Sequence, residues 1–329
     1  LPSDHRIAFA QFPLQAATAH TPSLSRAITE QPEFWSLGDQ QLQYLIAKET
    51  GWLSDIKLLG QSQLNSPLIA NFWRAPTDND LGNQMPEWAG IWQDAAKQLQ
   101  LKSIKQIDAN SLEVIQHHPS LDFSLSTRYQ LSQQGQLLLQ SQFTPGSVEL
   151  ADLPRFGFQT QLPFSQRFMH YFGRGPEETY ADRKSGNPLG WFALPIEKTF
   201  HRYSRPQETG QRSDIRYVAI TDANGKGLLA KADTANSPLQ SSLWPFAQAD
   251  IDFRQGDASG SASGLVPVTA NHGAEIPTRQ FVTWNIDHKQ MGVGGDTSWG
   301  RQVHQAYRIK AEVMQFNFSI EPIAAGSNI

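Results

Sequence analysis

Apolar and polar residues alternate along most of the chain, which is the spacing of half-buried β-strands. The alternation is clearest in residues 34–53, 121–143 and 314–320. Glycine, proline and asparagine separate these runs, and the pair Asn224-Gly225 predicts a type I′ hairpin between two of them. This succession of short strands predicts an all-β chain built as a large antiparallel sandwich.

One segment has helical spacing instead. Apolar residues recur there every three or four positions: Trp88, Ile91, Trp92, Ala95 and Leu99. Pro86 suits the first turn of a helix, because its fixed φ angle is helical and its missing N–H would be unpaired there anyway. We therefore predict one short helix between Glu87 and Leu99.

The first residues are set apart from this pattern. Residues 5–12 predict one strand that ends at Pro13, and a stretch of small residues with a proline follows at 16–23. One strand alone cannot fold, so we interpret residues 1–25 as the remnant strand of a preceding domain with its linker, and residues 26–329 as the sandwich. Because the chain begins with Leu1, we expect it to be part of something longer. Residues 256–264 contain only small residues and one aspartate, and they predict a mobile surface loop.

Composition narrows the possible functions. The net charge is −4, from 27 basic and 31 acidic residues without a block of one sign, so nothing favours nucleic acid or an anionic membrane as a partner. No apolar run approaches the roughly 20 residues of a membrane span. The chain has no cysteine, and its nine histidines lack the spacing of metal ligands, so we predict no metal site. The absence of cysteine fits a cytoplasmic protein.

A turn at residues 71–82 places Arg74 beside Asp78 and Asp80. In one interpretation the aspartates bond to nearby backbone and Arg74 binds a carboxylate. In the other, the two aspartates are a hydrolytic pair, which requires carboxylates about 5–9 Å apart across an open cleft. We favour the first interpretation, because one tight turn rarely provides such a cleft.

Two further loops, at residues 174–183 and 205–212, alternate in charge. The first contains Arg174, Glu177, Asp182 and Arg183. These loops are either buried ion-pair loops at a domain interface or a solvated rim.

Residues 291–300, here called the glycine loop, contain four glycines and Trp299. Such a density of glycine allows positive φ angles and a close approach of the backbone to another surface. Trp299 then lies near a loop tip, where a large ring suits stacking on a ligand. The alternative is that Trp299 anchors the core.

Four of these motifs occur together in one order: FWRAPTDND (72–80), GRGPEETYADR (173–183), RPQE (205–208) and MGVGGDTSW (291–299). They resemble the C-terminal domain of the large cytoplasmic β-galactosidases of glycoside hydrolase family 2, which is also the small subunit of two-chain forms. The resemblance covers residues 30–329, and residues 5–14 resemble the last strand of the immunoglobulin-like domain before it. It implies a supersandwich like that of galactose mutarotase.

The resemblance also implies a divided active site. Family members hydrolyse terminal β-galactosides with retention, and their catalytic glutamates lie in a (β/α)8 barrel, so we expect no catalytic residue in this chain and no activity of the chain alone. Trp299 matches a tryptophan that this domain contributes to the sugar site. A mobile loop near that site corresponds to five residues: Gly82, Asn83, Gln84, Met85 and Pro86.

The same resemblance gives the expected partners. These are a β-galactoside substrate and the remaining β-galactosidase domains or a large subunit, in an oligomeric enzyme, with no nucleic acid or membrane. The Mg and Na sites of the family lie in other domains, so we expect no cofactor in this chain.

Two other functions stay open. An aldose 1-epimerase of this fold would need a histidine acid and a carboxylate base facing one cleft, and His170, His201 and His304 stand in no motif that indicates it. A stand-alone carbohydrate-binding domain would need several exposed aromatic residues, which nine tryptophans could supply.

Overall fold

The structure is a computed structural model, and it describes residues 8–12, 28–233, 237–255, 265–296 and 302–326. In these residues 21 strands, numbered in chain order, pair antiparallel in four sheets. The first sheet is a meander: β1 (Ile28–Glu30), β2 (Phe34–Gly38), β3 (Leu42–Ala47), β4 (Leu53–Leu58) and β5 (Gln61–Ser62). Its strands β2 to β4 coincide with the first alternating run of the sequence.

Two larger sheets make the body of the molecule. Nine strands form the larger one: β7 (Gln100–Asp108), β8 (Ser111–His118), β9 (Phe123–Leu131), β10 (Leu137–Pro145), β12 (Phe168–Arg174), β13 (Leu189–Pro195), β15 (Tyr217–Thr221), β16 (Gly227–Ala232) and β21 (Met314–Ile323). Their spatial order is β13-β12-β15-β16-β21-β10-β9-β8-β7. Five strands form the other: β6 (Ile69–Asn71), β11 (Arg155–Pro163), β14 (Arg212–Ile215), β17 (Leu239–Trp244) and β20 (Phe281–Gln290), in the order β14-β17-β20-β11-β6. A small hairpin joins β18 (Phe253–Gln255) to β19 (Leu265–Pro267).

The core lies between the two large sheets. Phe158 on β11 has its ring centroid 5.8 Å from that of Phe318 and 6.2 Å from that of Phe316, both on β21. The meander packs on the same core, because the Tyr44 hydroxyl on β3 donates to the Gly135 carbonyl, 2.7 Å away, in the turn between β9 and β10. The alternation seen in the sequence thus becomes two apolar faces in contact, and the predicted all-β antiparallel supersandwich is confirmed.

The helix prediction is wrong in its extent. The described residues contain two short α-helices, α1 (Asp78–Gly82) and α2 (Met85–Trp88), and the segment after α2 forms two 3-10 turns, Gly90–Trp92 and Ala95–Gln98. Other 3-10 turns are Ile196–Lys198, Gln248–Ile251, Gly273–Glu275 and Gln305–Tyr307. The apolar residues do face the core, since Trp92 and Ala95 are buried. The Trp92 ring packs between Phe72 and Phe123, and the backbone that places it there forms 3-10 turns instead of a continuous α-helix. No helix in the described residues is long and apolar enough to cross a membrane.

The hairpin between β15 and β16 forms where the sequence predicts it, but its turn is of another type. Gly225 has φ +80°, whereas Asn224 does not have a positive φ angle. The Asp222 N–H donates to the Lys226 carbonyl, and the Gly225 N–H donates to the Asp222 carbonyl. This is a longer hairpin loop whose last residue is a left-handed glycine, so only one residue needs a positive φ angle.

Residues 8–12 are exposed and form no strand. The strand predicted for residues 5–12 is therefore absent from its described part. The proposed domain boundary near residue 25 and the loop at 256–264 lie outside the described residues, and the two-domain division stays a prediction.

Candidate functional site

Arg74 is the centre of the first motif. The chain leaves β6 in an extended form and enters α1 through a capping box, in which Thr77 and Asp80 each accept a hydrogen bond from the other's backbone N–H. The cap turns the Asp80 carboxylate toward Arg74, whose Nε and Nη2 donate to its two oxygens at 3.0 and 2.8 Å. Both side chains are fully buried. Burial lowers the pKa of Arg74, but Asp80 outweighs burial and the pKa is raised, so this is a buried charged pair.

The same arginine reaches the glycine loop. Its Nη1 donates to the Met291 carbonyl, and its Nη2 donates to the Gly292 carbonyl at 2.8 Å. Asn79, on α1, donates from Nδ2 to the Val293 carbonyl at 2.9 Å. The first motif therefore holds three consecutive carbonyls of the glycine loop.

Asp182, from the second motif, holds the next N–H groups of the glycine loop. Its Oδ1 accepts from the Val293 N–H at 3.0 Å, and its Oδ2 accepts from the Gly294 N–H at 2.7 Å. A Cβ atom at Gly292 would lie 2.5 Å from Oδ2 of Asp182, so only glycine fits there. Gly294 has φ +68°, a conformation that glycine adopts without strain. Arg74, Asn79 and Asp182 are called the loop clamp below.

The second motif is also bonded to residues on either side of the third motif. Glu178 accepts from the Gly210 N–H at 2.8 Å with Oε2, and from Arg183 at 2.6 Å and the Tyr203 hydroxyl with Oε1. Burial, and then the Glu178 carboxylate, raise the pKa of Tyr203. These loops form a network that is partly buried and partly exposed, so neither of the two interpretations of the charged loops describes it fully.

The first and third motifs meet at the surface. The Asp78 carboxylate accepts from Arg205 and, at 3.1 Å, from Nε2 of Gln207, while the Asp78 N–H donates to Oε1 of Gln207 at 3.2 Å. The Asp78 side chain is 60% exposed, whereas that of Asp80 is fully buried against Arg74. The two aspartates therefore do not face one cleft, and the hydrolytic-pair interpretation is wrong.

A second group of charged side chains is equally buried, and we call it the buried ion cluster: Arg155, Glu208 and Asp287. Nη2 of Arg155 lies 2.9 Å from Oε2 of Glu208, and its Nε lies 3.8 Å from Oδ2 of Asp287. All three side chains have no exposed surface, and in the described part of the chain neither carboxylate has a hydrogen bond of good geometry. Burial raises the pKa of Asp287 to about 7, with Arg155 acting against the shift and Glu208 adding to it. Burial likewise raises the pKa of Glu208, against the effect of Arg155 and Arg74.

The remaining predicted site residues lie elsewhere or make other contacts. Arg174 donates to the Asp214 carboxylate and to the Asn187 carbonyl, and it takes no part in the contacts that hold the glycine loop. Glu177 is exposed, and its neighbour Glu178 makes the bonds that join the loops. The buried ion cluster was missed in the sequence. The signal that could have found two of its members is a charged residue directly beside apolar strand residues, as Arg155 is beside Phe156 and Asp287 is beside Ile286.

Two predicted segments are only partly described. Trp299 lies outside the described residues. In the segment predicted as a mobile loop, Gly82 ends α1, Gln84 has φ +61°, and Met85 and Pro86 begin α2. Met85 is fully buried in the core. The turn between the two helices is therefore limited to Asn83 and Gln84.

No group of three or more His, Asp or Glu side chains in the described ranges is arranged to hold a metal. His170 contacts the Thr221 hydroxyl, and burial lowers its pKa; His304 pairs with Asp296. His201 is different, because it lines a cleft of about 430 Å³ that it shares with three carboxylates: Glu177, Glu178 and Glu197.

In this supersandwich, three motifs from distant parts of the chain are joined to one another and to the fourth, the glycine loop. The family model described as beta galactosidase small chain matches residues 38–320, and the chain belongs to this family. It is 32% identical over 292 residues to a β-galactosidase of Lactobacillus delbrueckii subsp. bulgaricus, covering 87% of this chain and 27% of that protein. It is 30% identical over 286 residues to a β-galactosidase of Halalkalibacterium halodurans, covering 85% of this chain and 26% of that protein. The chain thus spans about a quarter of the length of these relatives.

Among solved structures, the chain is similar to a galactose 1-epimerase from Lactobacillus acidophilus. The TM-score is 0.44 at 9% identity, with 92% of this chain and 99% of that chain covered. A likeness at this level carries no argument about function, and the fold described above rests on the sheets of this chain.

Proposed function

We propose that this chain is the part of a β-galactosidase that completes the sugar site of a catalytic barrel on the remaining polypeptide. That polypeptide, called the large chain below whether it is separate or continuous with this one, supplies the two glutamates of a retaining double displacement. This chain supplies Trp299 as a wall against which the apolar face of a galactoside packs. The chain alone is inactive and holds no cofactor, and the active enzyme is an oligomer.

One observation carries the proposal. Three side chains from two motifs bond to five backbone groups of residues 291–294, and Trp299 follows Gly294 by five positions in the same loop. Two of these three side chains are charged, and Arg74 is fully buried. A loop that served only as a connection would not require so many specific bonds. Holding a backbone this firmly is what a site needs if a side chain is to meet a ligand in one orientation.

The test is hydrolysis of a chromogenic β-galactoside by the purified chain, by the large chain and by the two combined. We expect turnover only when both are present. Turnover by the purified chain alone, persisting through repeated purification, would contradict the division of the site. Binding of galactosides by the combined chains without hydrolysis would favour a carbohydrate-binding domain instead.

A second candidate function has one observation in its favour. His201 shares a cleft with Glu177 and Glu197, which is the pairing of a histidine with a carboxylate that an aldose 1-epimerase requires. Polarimetry on freshly dissolved α-galactose distinguishes this candidate. Accelerated mutarotation that is lost in His201→Gln and kept in His304→Gln would support it. An unchanged rate would remove it.

A further inference from the structure

The outermost strand of the nine-stranded sheet carries an exposed tryptophan. Trp191, on β13, is 60% exposed. Its ring centroid lies 4.5 Å from that of Tyr217 on β15 and 5.3 Å from that of Phe172 on β12. These three rings, called the β13 patch, lie on the face of the sheet opposite the core, since the alternate residues Tyr171 and Val218 are the buried ones. Aromatic groups of this kind are enriched at the centres of protein interfaces.

The backbone beside the β13 patch is also available. Within the described residues β13 pairs only with β12, so its other side is a sheet edge. The amide of Gln11 pairs with this edge at one point: Oε1 accepts from the Leu189 N–H at 2.7 Å, and Nε2 donates to the Leu189 carbonyl at 2.9 Å. The side chain of Gln11 therefore takes the place of one residue of a neighbouring strand. Trp191 and Ala193, two and four positions further, direct their backbone groups to the same edge, because backbone direction alternates along a strand.

The exposed apolar residues are concentrated here. Nine large apolar side chains are exposed in the described residues, and three of them belong to the two segments that Gln11 joins: Phe9, Phe12 and Trp191. Phe12 is 81% exposed. An exposed sheet edge beside exposed aromatic rings is a template for pairing with another polypeptide segment, and proteins normally cover or charge such an edge.

We propose that the β13 patch and the adjoining edge of β13 are the surface on which the large chain docks, by adding an extended apolar segment to β13. The inference rests on the proposed function, which supplies the large chain as the partner. Two observations select this occupant. The relatives are about four times as long as this chain, so the rest of such a protein has to contact this region through some surface. Residues 8–12, which precede the sandwich in the chain, already lie against this edge through Gln11. Addition of a strand to an open edge gives affinity through main-chain bonds and specificity through side-chain pockets.

The experiment measures binding of the large chain to this chain by analytical ultracentrifugation. Trp191→Asp removes the central ring of the β13 patch and puts a charge in its place, whereas the matched control Val313→Asp changes another exposed apolar residue, 59% exposed, which lies away from β13. We expect the dissociation constant of Trp191→Asp to rise at least thirtyfold, as for a residue central to an interface, and that of Val313→Asp to stay within about threefold of the unsubstituted value. Melting curves of both variants show whether they fold, and Trp191→Ser replaces Trp191→Asp if the charge prevents folding.

Hydrogen exchange on the unsubstituted chain gives an independent measurement. Amides of residues 191 and 193 should exchange fast in the isolated chain and become protected when the large chain is added, because a new strand would bond to them. Unchanged exchange together with normal binding by Trp191→Asp would overturn the inference.

Other occupants give other results, and each overturns the inference. Self-association of the isolated chain that is lost in Trp191→Asp would assign the surface to a second copy. Quenching of tryptophan fluorescence by galactose in the isolated chain, absent from the same variant, would assign it to a saccharide. These results are distinct from a failure of the proposed function. The proposed function fails only if the unsubstituted chain and the large chain together do not hydrolyse β-galactosides, whereas the docking inference can fail while hydrolysis is normal.

Discussion

Two fully buried arginines in this molecule have very different surroundings. Arg74 makes four hydrogen bonds, two to the Asp80 carboxylate and two to backbone carbonyls of the glycine loop. Among the described residues, the Arg155 side chain makes one, at 3.2 Å to Gln290, and its Nε and Nη1 have no hydrogen-bond partner although two carboxylates are near. Burial and residue type are the same, so the difference lies in the geometry of the acceptors.

This difference separates two uses of a buried charge. The Arg74 pair is neutral overall, and its remaining N–H groups are used to hold backbone, so its charge serves to position the glycine loop. The buried ion cluster has one positive and two negative groups when both carboxylates are ionised, and burial raises the pKa of both. The first group is a rigid connection between distant segments. The second is a place where stability depends on pH.

The comparison predicts the largest effect for removal of Arg74. Arg74→Leu leaves the Asp80 carboxylate charged and buried without its cationic partner, with only the Thr77 N–H still donating to it, which costs about 3–5 kcal/mol of unfolding free energy. The matched control is Arg167→Leu, which removes an exposed pair with Glu197 and should cost less than about 1 kcal/mol. Urea unfolding of both variants measures the difference. Equal unfolding free energies of the two variants would show that Arg74 contributes no more to stability than an exposed ion pair.

The next prediction concerns pH. In the folded chain Asp287 keeps its proton up to about pH 7, whereas in the unfolded chain it loses it near its ordinary pKa of about 4. The folded state therefore holds more protons between pH 4 and 7, so the free energy of unfolding falls as pH rises through this window, by at most about 1.4 kcal/mol per pH unit for this group.

Asp287→Asn cannot titrate, so its unfolding free energy should fall less between pH 4.5 and 7.5. Urea midpoints at several pH values measure this, with Glu33→Gln, an exposed carboxylate, as the control. If the unfolding free energy of Asp287→Asn falls with pH as steeply as that of the unsubstituted chain, Asp287 is not the group that loses a proton in this pH window.

A smaller effect is expected for Asp182. Asp182→Ala removes the acceptors of the Val293 and Gly294 N–H groups, which should cost about 1–3 kcal/mol. Amides 293 and 294 should then exchange faster, and in the enzyme combined with the large chain KM should rise more than kcat falls. Asp182→Asn keeps one acceptor oxygen and should lie between. A variant with unchanged amide exchange would show that Asp182 does not hold the glycine loop.

The smallest effect is expected for Trp299 itself. Trp299→Leu keeps apolar bulk but loses the flat ring, and stacking is worth roughly 0.5–1.5 kcal/mol beyond buried area. Galactoside affinity of the enzyme combined with the large chain should fall by about threefold to tenfold. The loss of unfolding free energy, followed by the melting temperature, should be smaller than the about 3–5 kcal/mol lost when a tryptophan in a core is truncated. Early melting with normal affinity would make Trp299 a structural anchor.

Local patterns in the sequence predict much of this molecule. Strands β2 to β4, β9, β10 and β21 lie where apolar residues alternate. Successive side chains of a strand point to opposite faces of the sheet, so the alternation in one segment is enough to show which residues form its apolar face. The helical spacing of residues 88–99 was misleading, since the same spacing also suits 3-10 turns packed on one side. The Asn224-Gly225 pair predicts a hairpin correctly but not its turn type, which depends on how many residues the flanking strands leave between them.

The sequence by itself determined the sandwich class, the family motifs and the presence of a carboxylate near Arg74, because each of these depends on residues that are close together in the chain. Only the tertiary structure decided which groups meet. Arg74 bonds to a carbonyl 217 positions away, and Glu178, not Glu177, joins the second motif to the charged loop at residues 205–212. Arg155, Glu208 and Asp287 come together from three separate segments. The partner of a charged side chain depends on distances that the packing of two sheets creates, and no local pattern records them.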